Sequence, residues 1–228
     1  MIFDYSKHLL FLLICLLSFH LQAQNNFSAV INPNVSLSIK TETRWSYNFS
    51  VQNRDIVYKN EDWDFAAKHL QFSHFTSYKT SLSSKLSLGI LYRFKEFLDT
   101  NNHDEVRITE QYAYYRKYNL LKTAHRIRFE QRIRDITFYR WRYRFSLEFP
   151  LNKSQIENKG FFIGTSTELL YTISKKTSPI PGNRFSISIG KALKPCSKIK
   201  VGLQYRYEDY LKKVDSQLFF ISSLSITI

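Results

Sequence analysis

The residues best suited to chemistry in this chain are arginines and glutamates that alternate with apolar side chains. They are densest between His125 and Phe149, which read HRIRFEQRIRDITFYRWRYRFSLEF, and they recur in two later segments. Guanidinium groups bind carboxylates and phosphates through paired hydrogen bonds, so this set predicts either ion pairing or the binding of an anion. The predicted site comprises Arg128, Glu130, Arg132, Arg140, Arg142, Arg144, Glu168 and Arg184.

Histidines near serine or aspartate are the candidates for catalysis, and their spacing does not suit it. Ser73 and His74 are adjacent, so on a strand their side chains point to opposite faces. His103 lies close to Asp99 and Asp104 in a segment of turn-forming residues. No nucleophile, base and orienting group converge, and the histidines lack metal-ligand spacing. We therefore predict no catalytic residue, no metal site and no cofactor.

Two neighbouring strands position the arginine-rich segment. A period of two places charged side chains on one face and apolar side chains on the other, on either side of a break near Asp135. This pattern predicts a β-hairpin. Seven arginines so close together repel one another unless they are paired, so the direction in which they are buried decides the fold.

The same alternation recurs along the chain and predicts about ten strands, with eight or twelve as alternatives. The first predicted strand covers Val35 to Phe49, and Gln52 to Asp64 is predicted as a loop. The five prolines fall between the predicted strands or at their ends, as expected for a residue that cannot donate a ladder hydrogen bond. Helical periodicity is nearly absent beyond the first residues, so the chain is predicted to be all-β.

The first residues have the features of a secretory signal peptide. Lys7 and His8 precede an apolar run from Leu9 to Phe19, and Ala23 is a small residue suited to cleavage. The run is shorter than the roughly 20 residues of a transmembrane helix. We predict residues 1–23 as the signal peptide and residues 24–228 as a single exported domain.

Composition indicates where such a domain would reside. Aromatic residues make up 16% of the chain and charged residues 23%, a combination that suits a barrel with alternate residues facing lipid and a polar interior. We predict a transmembrane antiparallel up-and-down β-barrel in the cell outer membrane of a Gram-negative envelope. Its partners would be outer-membrane lipid and the barrel-assembly machinery, which reads the last strand.

The formal charge of +14 points to an acidic partner, and export argues against nucleic acid. In the predicted barrel the arginines face inward and outnumber the glutamates that could neutralise them. The surplus would take water, an anionic solute or a phosphate-bearing lipid. The candidate counter-charges are Glu42, Glu110, Glu130, Glu148, Glu168 and Glu208.

The chain resembles the family known as domain of unknown function 2490. The resemblance rests on RFEQRIRD (Arg128 to Asp135), RWRYRF (Arg140 to Phe145), TELL (Thr167 to Leu170) and the Asn183-Arg184 pair before an apolar strand. It implies an outer-membrane β-barrel without an established activity.

These observations predict a non-enzymatic outer-membrane barrel with a basic lumen. Its interior would be structural, or would bind or conduct a small anionic solute or a lipid headgroup. Two alternatives stay open: an outer-membrane lipid-modifying hydrolase or acyltransferase, and an exported soluble β-barrel or sandwich that binds a ligand.

Overall fold

A closed β-barrel accounts for nearly all of the chain that the computed structural model describes, namely residues 27–59, 62–95, 104–151, 160–194, 196–212 and 214–228. Within these residues there are eleven strands. They are β1 (Phe27–Lys40), β2 (Trp45–Lys59), β3 (Asp62–Lys79), β4 (Ser84–Lys95), β5 (Glu105–Tyr118), β6 (Leu121–Ile133), β7 (Phe138–Pro150), β8 (Phe161–Ser174), β9 (Ile180–Lys194), β10 (Ser197–Glu208) and β11 (Asp215–Thr227). None of the described residues belongs to a helix long and apolar enough to cross a membrane.

Neighbouring strands in the sequence pair in antiparallel fashion, and the barrel closes where β1 and β11 pair in parallel. An odd number of meandering strands requires this, because the first and last strands then run in the same direction. At the seam, the Lys40 amide donates to the Ile228 carbonyl at 2.7 Å, and the Ile228 amide donates to the Ser38 carbonyl at 2.8 Å. Phe27 and Ile228 therefore lie at opposite ends, which we call the amino-terminal rim and the carboxy-terminal rim.

The prediction of an all-β barrel is confirmed, with two corrections: the strands number eleven rather than about ten, and one of the pairings is parallel. The extra strand comes from the segment Val35 to Phe49, which turns between β1 and β2. In this turn the Thr41 hydroxyl donates to the Trp45 carbonyl at 2.8 Å and lies 2.6 Å from the Thr43 hydroxyl. Threonine hydroxyls make this turn without glycine or proline, so the strongest sequence signal for a turn was missing.

The segment Gln52 to Asp64, predicted as a loop, instead contributes to the paired ends of β2 and β3, apart from residues 60 and 61, which lie outside the described residues. Two irregularities in the register, next to Arg54 and next to Ile56, interrupt the period of two there. Because a bulge shifts the alternation, this part of the chain does not show the pattern of a regular strand.

The distribution of polarity is the reverse of that in a water-soluble protein. All eleven strands expose large apolar side chains outward, such as Leu88 at 60%, Ile187 at 56% and Phe185 at 55%. The interior instead holds polar and charged groups, including Glu105 at 0% exposure and Glu168 at 1%. Charged residues are rarely buried so completely unless they are paired, so the interior must neutralise them.

Candidate functional site

The pairing register, rather than sequence order, brings the interior charges together. Arg144 on β7 lies opposite Glu168 on β8, which lies opposite Arg184 on β9, which lies opposite Arg206 on β10. Four consecutive strands thus place charged side chains at one level of the barrel. Their side chains all face the interior, because residues at matching positions of paired strands share a face.

Glu168 lies at the centre of this level and contacts four arginines. Its Oε1 lies 3.3 Å from Arg126 and 3.1 Å from Arg144, and its Oε2 lies 2.8 Å from Arg142 and 3.7 Å from Arg184. Its side chain is 1% exposed. A single carboxylate therefore interacts with four guanidinium groups and has almost no contact with water.

Two further glutamates extend the ion pairs around the wall. Glu130 accepts from Arg142 at 2.6 Å and lies 3.5 Å from both Arg107 and Arg128. Glu105 contacts Arg107 closely and accepts from Arg132 at 2.7 Å. Because Arg107 contacts both carboxylates, it links β5 to β6.

Beyond Arg93, side-chain amides continue the series of contacts. Glu105 lies 3.5 Å from Arg93, which donates to Gln71 at 2.7 Å. Gln71 donates to Gln52 at 3.1 Å, and Gln52 donates to Asn32 at 2.8 Å. Contacts between side chains thus reach β1 without a break.

On the other side of Glu168, Arg184 donates to Glu208 on β10. We call the connected set the interior network. Its members are Asn32, Gln52, Gln71, Arg93, Glu105, Arg107, Arg126, Arg128, Glu130, Arg132, Arg134, Arg142, Arg144, Glu168, Arg184 and Glu208. Outside this set, the fully buried ring of Phe219 on β11 has its centroid 3.5 Å from the guanidinium of Arg206.

The eight residues of the predicted site all lie on the interior face, and seven of them take part in ion pairs with one another or with other interior residues. The exception is Arg140, which donates to Thr172 Oγ1 at 2.7 Å. Within the described residues, Arg54, Arg140 and Arg206 are the inward arginines that have no carboxylate within ion-pair distance. Arg54 stacks on Phe219 at 4.9 Å, and its Nε is buried without a hydrogen bond.

The glutamates predicted as counter-charges divide into two groups. Glu130, Glu148, Glu168 and Glu208 face the interior. Glu42 is exposed in the turn between β1 and β2, and Glu110 is exposed on the outer face opposite Phe129, so for these two the expectation was wrong. Glu105 and Arg54 were not among the predicted residues: Glu105 is the first residue of β5, and Arg54 lies beside a bulge.

Towards the carboxy-terminal rim the interior side chains become small and leave a cavity. Ser146, Ser166 and Ser186 lie in register on β7, β8 and β9, one level beyond Arg144 and Glu168. The cavity has a volume of about 770 Å³ and opens at this rim. Its lining includes Arg144, Ser146, Ser166, Ser186, Lys198 and Lys200.

Positive charge predominates along this cavity. The side chains of Arg126 and Arg144 are 25% and 26% exposed, which is far more than that of Glu168 beneath them. Lys198 and Lys200 on β10 are exposed. Lys122 pairs with Glu148 at 3.6 Å near the mouth. The cavity is therefore suited to an anion.

The candidates for catalysis do not come together. Ser73 shares a hydrogen bond of 2.7 Å with Ser50 in the interior, whereas His74 faces outward and packs against Phe49 with ring centroids 4.5 Å apart. The two side chains thus lie on opposite faces, as predicted. Asp104 accepts a hydrogen bond from the Tyr92 hydroxyl, and His103 and Asp99 lie outside the described residues. No three histidine, cysteine or acidic side chains in the described ranges are placed to hold a metal ion.

A family model described as "Protein of unknown function (DUF2490)" matches residues 31–217. The matched region extends from β1 into β11 and contains every member of the interior network as well as the six cavity residues named above. No curated protein and no solved structure was found to match the chain.

Proposed function

Because the chain belongs to the DUF2490 family of proteins of unknown function, its role has to be inferred from the barrel, and we propose a non-enzymatic β-barrel of the cell outer membrane whose basic interior binds a small anionic solute or lipid headgroup. A signal peptide at residues 1–23 would direct its export. One observation carries the proposal: each of the eleven strands exposes large apolar side chains outward, while the buried arginines and glutamates lie in the interior.

Lipid is the environment that this outer surface favours. Soluble monomers rarely expose contiguous apolar patches larger than a few hundred Å², whereas here such side chains surround the barrel. Closure leaves no strand edge, and in a membrane each unpaired backbone group would cost several kcal/mol. Tyrosine and tryptophan lie near both rims, for example Trp45 with Tyr78 and Tyr207 with Tyr210, as in interfacial girdles. The closed barrel also excludes the sandwich that the sequence left open.

Cell fractionation tests this assignment. We expect the full chain in the outer-membrane fraction, migrating anomalously in a gel until it is boiled, because a closed barrel resists unfolding by detergent. Recovery from the soluble periplasm would instead support an exported soluble barrel that binds a ligand.

Binding is favoured over conduction because the interior network fills the barrel. Glu105, Glu130 and Glu168 are 0%, 1% and 1% exposed, although they line what would be the channel wall. A water-filled channel would leave these carboxylates in contact with solvent. The lumen is thus closed at this level, while the cavity at the carboxy-terminal rim stays open.

Ion conduction through the barrel is measured in planar bilayers. The purified barrel is expected to insert without producing stepwise ionic currents, since an ion would have to break buried ion pairs to pass. A porin reconstituted in the same way is the control for the bilayer. Regular, anion-selective current steps from the wild-type protein would contradict the closed lumen and favour conduction.

A further inference from the structure

We propose that the cavity at the carboxy-terminal rim binds a phosphate group whose ligand also carries hydroxyl groups, from either a soluble phosphomonoester or a lipid headgroup. This inference deepens the proposed function and rests on it for the anionic character of the ligand. It adds the location of the site, the residues that contact the ligand and the chemical class of the ligand.

The floor of the cavity carries more positive charge than its carboxylate can balance. Arg126 and Arg144 both contact Oε1 of Glu168, at 3.3 and 3.1 Å. The other oxygen accepts from Arg142 at 2.8 Å and again from Arg144 at 3.1 Å, and it lies 3.7 Å from Arg184. Arg126 and Arg144 are the two of these four that are about one quarter exposed. Arg144 lines the cavity, and Arg126 lies opposite it in register on β6. A dianion in the cavity would supply the missing negative charge.

Two lysines of β10 add to this charge. Lys198 and Lys200 alternate with Ile199 and Val201 and so share the interior face of the strand. Both line the cavity, and in the described part of the chain neither has a carboxylate within ion-pair distance. The Lys198 ammonium lies 5.7 Å from the ring of Phe162, which keeps it at the cavity wall. Guanidinium forks combined with ammonium groups are a common way of binding phosphate.

The neighbouring strands β7, β8 and β9 offer hydroxyl groups. Ser186 accepts from the Gln204 amide at 2.9 Å, and within the described residues Ser146 and Ser166 make no side-chain hydrogen bond. A hydroxyl group both donates and accepts, so this row complements hydroxyls on a ligand. The volume of about 770 Å³ greatly exceeds that of inorganic phosphate and falls in the range of roughly 300 to 1,000 Å³ usual for ligand pockets.

Substitution of both lysines tests the site. Lys198→Gln with Lys200→Gln is expected to weaken the binding of glycerol 3-phosphate at least roughly ten-fold, measured by calorimetry in uncharged detergent micelles, because two charged contacts to the phosphate are lost. The matched control is Lys175→Gln with Lys176→Gln, which removes the same charge from the exposed loop at the other rim. A second variant, Ser166→Phe, fills the cavity without changing its charge and should also abolish binding.

Two arms separate the sources of phosphate. Binding of inorganic phosphate and glycerol 3-phosphate, lost in the Lys198/Lys200 variant, would indicate a soluble ligand. Retention of phosphatidylglycerol but not diacylglycerol in native mass spectrometry, again lost in that variant, would indicate a lipid headgroup. If none of the three phosphate compounds binds, or if the control variant loses binding equally, the proposal is overturned. Heat-modifiable migration reports separately on the barrel: recovery as a soluble protein that still binds phosphate would refute the membrane assignment and leave the cavity site intact.

Discussion

Replacement of Glu168 by glutamine is expected to destabilise the barrel by about 3 to 5 kcal/mol, the cost of removing one partner from a buried ion pair. Glutamine has nearly the same shape, so packing is kept while the negative charge is lost. Arg126, Arg142, Arg144 and Arg184 would then surround a neutral amide whose NH₂ group cannot accept from them. Their mutual repulsion would be balanced in part by Glu130, which pairs with Arg142, and by Glu208, which pairs with Arg184.

Unfolding in guanidinium chloride, followed by tryptophan fluorescence in detergent micelles, measures this effect. Glu42→Gln is the matched control, because Glu42 is exposed in a turn and its substitution should change stability by less than about 0.5 kcal/mol. Equal midpoints for the two variants would show that water or bound ions, rather than Glu168, neutralise the arginines. The stability of the lumen would then not depend on the network.

The face on which each charge lies could be predicted from sequence wherever the strands are regular. Alternation between Arg126 and Glu148 assigns the inner face of β6 and β7 because successive strand residues point to opposite sides. The same rule fails beside a bulge, so it did not identify Arg54 as an inward residue. It also fails at a strand end, so it did not identify Glu105. The rule also fails for Glu110, because this residue is charged but faces outward, so its charge does not mark the inner face.

The partners of each charge could not be predicted, because they depend on register and on distance across the barrel. Glu168 contacts Arg126, which is 42 residues earlier in the chain and two strands away. The cavity could not be predicted from the sequence either. Its serines are unremarkable in sequence and form a continuous wall only because β7, β8 and β9 align Ser146, Ser166 and Ser186 at one level.

The second large expected effect is the loss of stability when a charged residue is introduced on the outer face. Ile187→Arg is expected to cost about 2 to 4 kcal/mol if the barrel spans a bilayer, because an arginine at the midplane must leave water. Ile187 lies at the middle of β9, is 56% exposed and faces away from the interior. On a surface bathed in water the same substitution would change stability by only about 0.5 kcal/mol.

The matched control is the same substitution at a residue near the end of a strand, where the bilayer interface would lie. Ile173 lies one residue before the end of β8 and is 37% exposed on the same outer face, so Ile173→Arg should cost only about 0 to 1 kcal/mol near the interface. Both variants are measured by denaturant unfolding of the barrel in phospholipid vesicles. A large loss at Ile187 with a small loss at Ile173 reports the profile of a bilayer. Small and equal losses would place the apolar belt in water and leave the exported soluble barrel as the better explanation of this fold.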